Sequence, residues 1–495
     1  MLLQKTTGLF PRILGKGDNA KRLADQLLRM RSEEDVNASS DPTTTVVSAP
    51  GVTPSSVIEN LVIIDRGVDF PTTLMTQLTY EGLIDETFGI NYNQTEVDSS
   101  IVGAAPQQKN AQSSGIDQNG TSGTQGATKR KIPLDSSDKL YPELRDINFA
   151  VLGPLLNKTA RRLQTDYEAR HKADSSISDM KAFVAKLPSY QAEQASLKIH
   201  TSLAEEIMKI TRSEIFGRTL EVQQSLAAGS DATTTHESIE ELIARDIPLP
   251  SILRLLCLES CISGGLRQRD LEHFKHLVLH GYGFQHLLTF AALEKMDLLV
   301  PRTANTGYLN PMSGASAGTS TDYNAARKTL RLFIDDVNEQ EPNDVAYVFS
   351  GYAPLSIRIV QCALQKTYLS QLTASKSGTA LTAGANTPAT QVHSQGWKGF
   401  EEILSRIKGA TVDEVQRGSD PEASKARQTL KGAGSGPTTS IVFFLGDITY
   451  AEIAALRFIG KQLEGKRKLL IATTGIIGGR DVMEVAMEKR DFGSK

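Results

Sequence analysis

The chain contains no stretch approaching about 18 consecutive apolar residues, so no membrane-spanning helix is expected from it. Its N-terminus, "MLLQKTTGLFPRILGKG", has no continuous apolar core of the kind a secretory signal carries. Only three cysteines occur among the 495 residues, too few for a closed disulfide framework. Cys257 and Cys261 lie one helical turn apart with no second Cys or His pair to complete a zinc site, and they read as core thiols. Charge of one sign is lacking too: 54 basic and 57 acidic residues leave a net −3. No basic stripe interleaved with aromatics appears, which argues against nucleic acid as the main ligand. These absences describe a soluble, cytosolic chain in a reducing compartment. Its length predicts two or three domains.

Catalytic signatures are equally scarce. There is no G-x-S-x-G elbow and no H-E-x-x-H, and the eight histidines form no ligand set. His200, in "LKIHTSLAEE", reads as an ordinary surface or core helix residue. "GLFPRILGKGDNAKR" places Gly15 and Lys16 as a phosphate loop would. The next residues are Gly17 and Asp18, where that loop needs a hydroxyl for magnesium, so Asp18 is expected to cap a helix instead. No cofactor and no metal are expected.

What is present alternates in texture. "NLVIIDRGVDF" (60–70), "VAYVFSGYAPLS" (345–356), "SIVFFLGDITYAEIAALRF" (440–458) and "KLLIATTGIIGG" (468–479) read as buried parallel strands followed by turns and helix starts. Residues 138–300 carry only helical periodicity. In "ELRDINFAVLGPLLNKTARRLQTDYEARH" the positions Leu144, Ile147, Val151, Leu155, Thr159, Leu163 and Tyr167 predict one helix of about 28 residues, kinked at Pro154. A second long helical pattern follows, interrupted at Pro188. Gln/Asn/Ser/Gly-rich stretches at 101–131, 301–321 and 373–396, with a weaker one at 34–54, are expected to be disordered. The fold class is therefore α/β plus all-α: a split parallel-sheet domain with a large inserted helical domain that carries a long hairpin.

Strand-end aspartates raise an enzymatic alternative. Asp65, Asp69 and Asp447 sit where a hydrolase or phosphotransferase would place its carboxylates. Against this, Asp65 and Asp69 can tie Arg66 and cap the next helix, while Asp447 or Thr449 can cap the helix that follows, with Glu452 placed as a capping box requires. Architecture is the expected role.

Five long segments carry a resemblance: "FFLGDITYAEIAALRF" with "IATTGIIGG", "IIDRGVDFPTTLMTQLTYEGLIDETFGI", "ARKTLRLFIDDVNEQEPNDVAYVFSGYAPLSIR" and "LYPELRDINFAVLGPLLNK". They resemble the Sec/Munc (SM) family, non-enzymatic chaperones of SNARE assembly, and in particular its branch in the HOPS and CORVET tethers. The resemblance runs over nearly all of the chain outside the low-complexity stretches. It implies residues 1–75 and 322–495 as the two parts of the second SM domain, and 76–205 and 206–300 as the two parts of the third, with 301–321 as linker. Family members begin with a further α/β domain ahead of the segment at Gly15–Gly17, and this chain is expected to lack it.

The resemblance further implies an R-type SNARE bound on the hairpin through Arg162, Lys186, Leu187, Pro188, Tyr190 and Leu197, the middle four matching a family tip of the form K-x-P-x-Y. Syntaxin-type SNARE binding is expected to be weakened by the absent domain. Tyr323, with Ala326 and Leu330, is the implied anchor for a helical solenoid subunit, unless Tyr323 packs on its own domain. A tether scaffold without SNARE binding is the remaining alternative. The implied location is cytoplasmic, held peripherally at vacuole and late-endosome membranes through partners.

Overall fold

The computed structural model describes residues 2–39, 55, 57–103, 129–170, 177–302, 320–374, 396–416 and 438–489. The expected disordered stretches fall mostly outside them, at 40–54, 104–128, 303–319 and 375–395. By packing, the chain forms two compact units, Met1–Thr76 with Arg218–Lys495, and Gln77–Gly217.

The first unit is built on a five-stranded sheet. β1 (Arg12–Lys16), β2 (Ile58–Asp65), β5 (Thr411–Val415), β6 (Thr438–Leu445) and β7 (Arg467–Thr473) lie in the order β5-β1-β2-β6-β7. β1, β2, β6 and β7 are mutually parallel, while β5 closes one edge antiparallel to β1. Central strands buried on both faces need apolar residues on both, and Leu61–Ile64 supply them. The helix Asp18–Ser39 covers one face through Ala20, Ala24, Leu23 and Leu27. The other face packs into a larger core shared with the helices Leu249–Ser263, Leu355–Leu364 and Tyr450–Gln462. Cys257 and Cys362 lie in that core, where burial pushes their thiols up, that of Cys362 to about 12.

Two sequence expectations need correction here. The run 345–356 is not a strand: Val345–Phe349 form a 3₁₀ turn capped by Asp344, and Leu355–Leu364 is a helix after Pro354. All five turn residues are buried, so they show the two-sided apolarity of a central strand without its geometry. Asp18 is not the cap of its helix. Asp65, from the end of β2, accepts the Asn19 N–H at 2.8 Å, while Asp18 Oδ1 accepts from Ala410 N at 2.9 Å. Asp65 comes this close because Gly17 has φ +109° and no side chain; a Cβ there would stand 2.2 Å from that of Asp65.

The second unit holds a two-stranded antiparallel ribbon, β3 (Gln94–Asp98) with β4 (Lys129–Pro133), and two long helices. Residues 129–131, expected as part of a disordered loop, begin β4. The core of this unit joins Tyr80, Leu83, Ile84, Val97, Ile132, Leu152, Leu156, Leu203 and Ile207. Among the described residues no helix of the chain is long and apolar enough to cross a membrane.

Candidate functional site

The two long helices, Phe149–Arg170 and Ile177–Thr211, pack against each other as a hairpin. At about 1.5 Å per residue they span roughly 33 Å and 52 Å. The first is shorter than the predicted 28 residues because Tyr141–Leu144 forms a separate short turn of helix. The second runs on through Pro188 rather than stopping there. A proline inside a helix leaves one carbonyl of the preceding turn without its intrahelical donor. Both helices contain one, at Pro154 and Pro188.

Near the base the hairpin is apolar, with Leu152 and Leu156 facing Leu203, Ala204 and Ile207. Further out, polar contacts take over. The Tyr190 hydroxyl donates to the Leu163 carbonyl at 3.0 Å, and the Tyr190 ring stacks on Tyr167 with centroids 6.1 Å apart. Arg162 pairs with Glu193 and stays more than half exposed, so the pair adds little to stability. Arg162 and Tyr190 thus meet on one rung, since Leu163 follows Arg162 and Glu193 lies one turn beyond Tyr190. Pro188 is exposed and Leu187 half-buried. Leu197 is half-buried and packs on the apolar base. The Lys186 side chain lies outside the described residues.

Tyr323, Ala326 and Leu330 belong to the core of the first unit, at 4%, 0% and 0% exposure. The Tyr323 hydroxyl donates to that of Tyr352 at 2.6 Å, and burial pushes its pKa well above the ordinary tyrosine value. The surface role expected for this trio therefore has almost no side-chain area behind it. In this structure it packs on its own domain.

The three strand-end aspartates are likewise committed to internal partners. Asp65 accepts from Asn19 N and from Gly67 N, the latter at 3.1 Å. Asp69, fully buried, caps the helix Phe70–Leu74 through Thr72 and also accepts the Ser356 N–H at 2.8 Å. Asp447, at φ +74°, accepts from Thr474 Oγ1 at 2.8 Å. Gly475 lies close beside it: a Cβ there would stand 2.7 Å from Asp447 Oδ1, so a larger residue would push that carboxylate aside. Thr449 and Glu452 make the expected capping box. Arg66 Nη1 donates to Glu452 Oε2 at 2.7 Å, with both side chains buried. Lys16, the lysine of the loop-like segment, donates to the carbonyls of Leu404, Ile407 and Gly409 at 2.8, 2.8 and 2.6 Å. Burial draws its pKa down to about 8, with Asp18 opposing. It faces protein carbonyls, as a clasp would.

One polar cluster went unread in the sequence. At the hairpin base Asp138 Oδ1 accepts from Leu140 N, Tyr141 N and Ser196 Oγ at 2.9, 2.8 and 2.6 Å, and lies 3.3 Å from His200 Nε2. His200 Nδ1 is 2.9 Å from the Tyr80 hydroxyl, and the imidazole stacks on Tyr141. Burial works to raise the Asp138 pKa, but the bonds from His200, Ser196 and Tyr141 outweigh it and hold the carboxyl below its usual range. The signal was spacing: Ser196 and His200 continue the stripe of Leu203 and Ile207, polar residues on an otherwise apolar helix face.

The first unit is thus a mixed α/β body, and the second carries the long helical hairpin. A model of the Sec1 family matches residues 1–485, and the chain belongs to that family. It is 37% identical over 490 residues to vacuolar protein sorting-associated protein 33A of Rattus norvegicus, covering 99% of this chain and 70% of that protein. It is 32% identical to the vacuolar protein-sorting-associated protein 33 homolog of Arabidopsis thaliana, covering 98% and 69%. Among solved structures, the Unc18–syntaxin 1 complex from Monosiga brevicollis matches with a TM-score of 0.56 at 13% identity, over 98% of this chain and 69% of that one. At that identity the likeness concerns the fold. The chain thus spans about 70% of the length of these relatives.

Proposed function

We propose that this protein is an SM-type chaperone that aligns SNARE helices, as a subunit of a HOPS- or CORVET-like tether at vacuole or late-endosome membranes. Family membership and the vacuolar sorting relatives support the class. The observation that carries the mechanism is the exposed hairpin, whose Arg162–Tyr190 rung offers a cation and an aromatic edge beside Pro188. An amphipathic SNARE helix would lie along it, its apolar positions against the half-buried Leu187 and Tyr190 and its acidic positions against Arg162. Binding, not bond chemistry, is the activity. Membrane association is peripheral and comes through partners, a helical solenoid subunit among them.

Titration of a soluble R-type SNARE motif into the full chain tests this. Arg162→Glu and Tyr190→Ala should each weaken binding about tenfold, corresponding to ~1.4 kcal/mol. Equal affinity in wild type and both variants would remove the hairpin as the SNARE site.

A further inference from the structure

Both limbs of the hairpin are held by the same short segment. The main chain around Tyr80 holds the first limb: Phe149 N donates to Leu78 O at 2.9 Å, Tyr80 N to Ile147 O at 3.0 Å, and Glu81 N to Arg145 O at 3.1 Å. The Tyr80 side chain holds the second limb through His200, at 2.9 Å. Asp138 locks that limb again, because its Oδ1 gathers Ser196 and His200, one helical turn apart, while anchoring its own turn at Leu140 and Tyr141. Tyr141 closes the ring, stacking on His200 and donating to Glu81 Oε1 at 2.6 Å. Tyr80, Tyr141 and His200 are each about 1% exposed or less, so these bonds are made away from water, where a lost partner is costly.

We infer that Tyr80, Asp138 and His200 are positioning residues, a polar seat that sets the angle of the hairpin and so decides how well it receives a helix. The inference rests on the template reading above for its consequence, though not for its geometry. An apolar base alone would let two helices slide and roll by a fraction of a turn, since dispersion is nondirectional. Hydrogen bonds at 2.6–2.9 Å from fixed donors do not allow that. Ser196 and His200 lie eight and twelve residues beyond Pro188 on one continuous helix, about 12 and 18 Å along it. A small rotation at the seat is therefore multiplied at the rung that meets the partner.

The test uses Tyr80→Phe and Asp138→Asn in the full chain, each close in shape to the residue replaced. Spin labels at Gln164→Cys on the first limb and Gln94→Cys on the ribbon, both exposed and both in the second unit, report the hairpin angle. The distance distribution should broaden in both variants, and the R-type SNARE motif should bind about tenfold more weakly. That loss is what a seat competent about one tenth of the time predicts. A distribution unchanged in both variants overturns the seat, whatever the affinities. A broadened distribution in a protein whose wild type binds no SNARE motif keeps the seat and removes the template reading.

Discussion

Replacing Arg66 by methionine tests the buried ionic node that joins distant parts of the first unit. Arg66 follows directly on β2, and its guanidinium reaches Glu452, in the first turn of the helix after β6, at 2.7 Å. A second Nη donates to the Asp69 carbonyl. Glu452 Oε2 also accepts the Thr449 N–H and hydroxyl at 2.9 and 3.0 Å, and Oε1 accepts the Ser356 hydroxyl. Burial works against the Arg66 charge, yet Glu452 and Asp69 outweigh it and hold its pKa above the ordinary value. Removing the cation leaves a buried carboxylate without compensation, a loss of about 3–5 kcal/mol. Domains are typically stable by about 5–15 kcal/mol, so the change is a large fraction of the total. The sole tryptophan, Trp397, is buried in the same unit and donates to Val412 O at 2.7 Å, so its fluorescence in a urea titration follows this unit. Adding Glu452→Gln removes the nearer of the two stranded carboxylates, Asp69 being the other, while keeping an acceptor for Thr449. The double variant should then recover at least about 1 kcal/mol over Arg66→Met alone. Costs that simply add, within about 0.5 kcal/mol, would refute the ion-pair account.

Tyr323→Asp buries a charge in the core beside Tyr352, and should lower the unfolding free energy followed through Trp397 by at least about 3 kcal/mol; an unchanged stability would return Tyr323 to the surface role first expected. His236 is raised above its ordinary pKa by its hydrogen bond to Glu259, with burial opposing, so the pair stabilises fully below about pH 6.5 and less as pH rises through the folded value. The contribution of this pair should therefore fall as pH rises above about 6.5, and His236→Gln should flatten that slope in a pH series of urea titrations. Pro188→Ala restores a missing donor inside a continuous helix and should slow amide exchange along the second limb, the local gain being up to about 3 kcal/mol, and tighten the R-type SNARE motif; unchanged exchange would show the helix indifferent to the proline.

What could be read from the sequence was what is decided locally. β2, β6 and β7 are runs of β-branched and apolar residues, and the Thr449–Glu452 box is four residues long, so both announce themselves. β1 did not, because Gly15 and Lys16 make "RILGK" look like a loop, and the lysine is buried only through carbonyls nearly 390 residues away. β5, "TVDEV", is an edge strand with exposed acids and lacks the apolar signature of its neighbours. β3 and β4 pair across the Gln/Ser/Gly-rich stretch, which hides their register from any local window. The two long helices of the hairpin were legible as periodicity, but the interruption expected at Pro188 was not found, because the helix continues through that proline. The seat of the hairpin was not legible, since Asp138 and His200 are 62 positions apart and each looks unremarkable alone.

The carboxyl edge of a parallel sheet is where α/β proteins commonly open a crevice for ligands. Here the chain fills that edge with its own polar groups. Beyond β2 stand Asp65, Arg66 and Asp69, and beyond β6 stand Asp447, Thr449 and Glu452, each drawn to a backbone amide, a hydroxyl or the Arg66 guanidinium. Groups so engaged have few lone pairs left to offer a substrate, and a substrate would have to displace bonds already made, those of Asp69 and Glu452 away from water. The same bonds have an evident use in a chain whose sheet is assembled from two segments separated by more than 300 residues. Directional contacts between residue 66 and residue 452, and between residue 69 and residue 356, admit one pairing of the segments, where apolar packing alone would tolerate several. The polar residues of this edge therefore serve the register of a split domain.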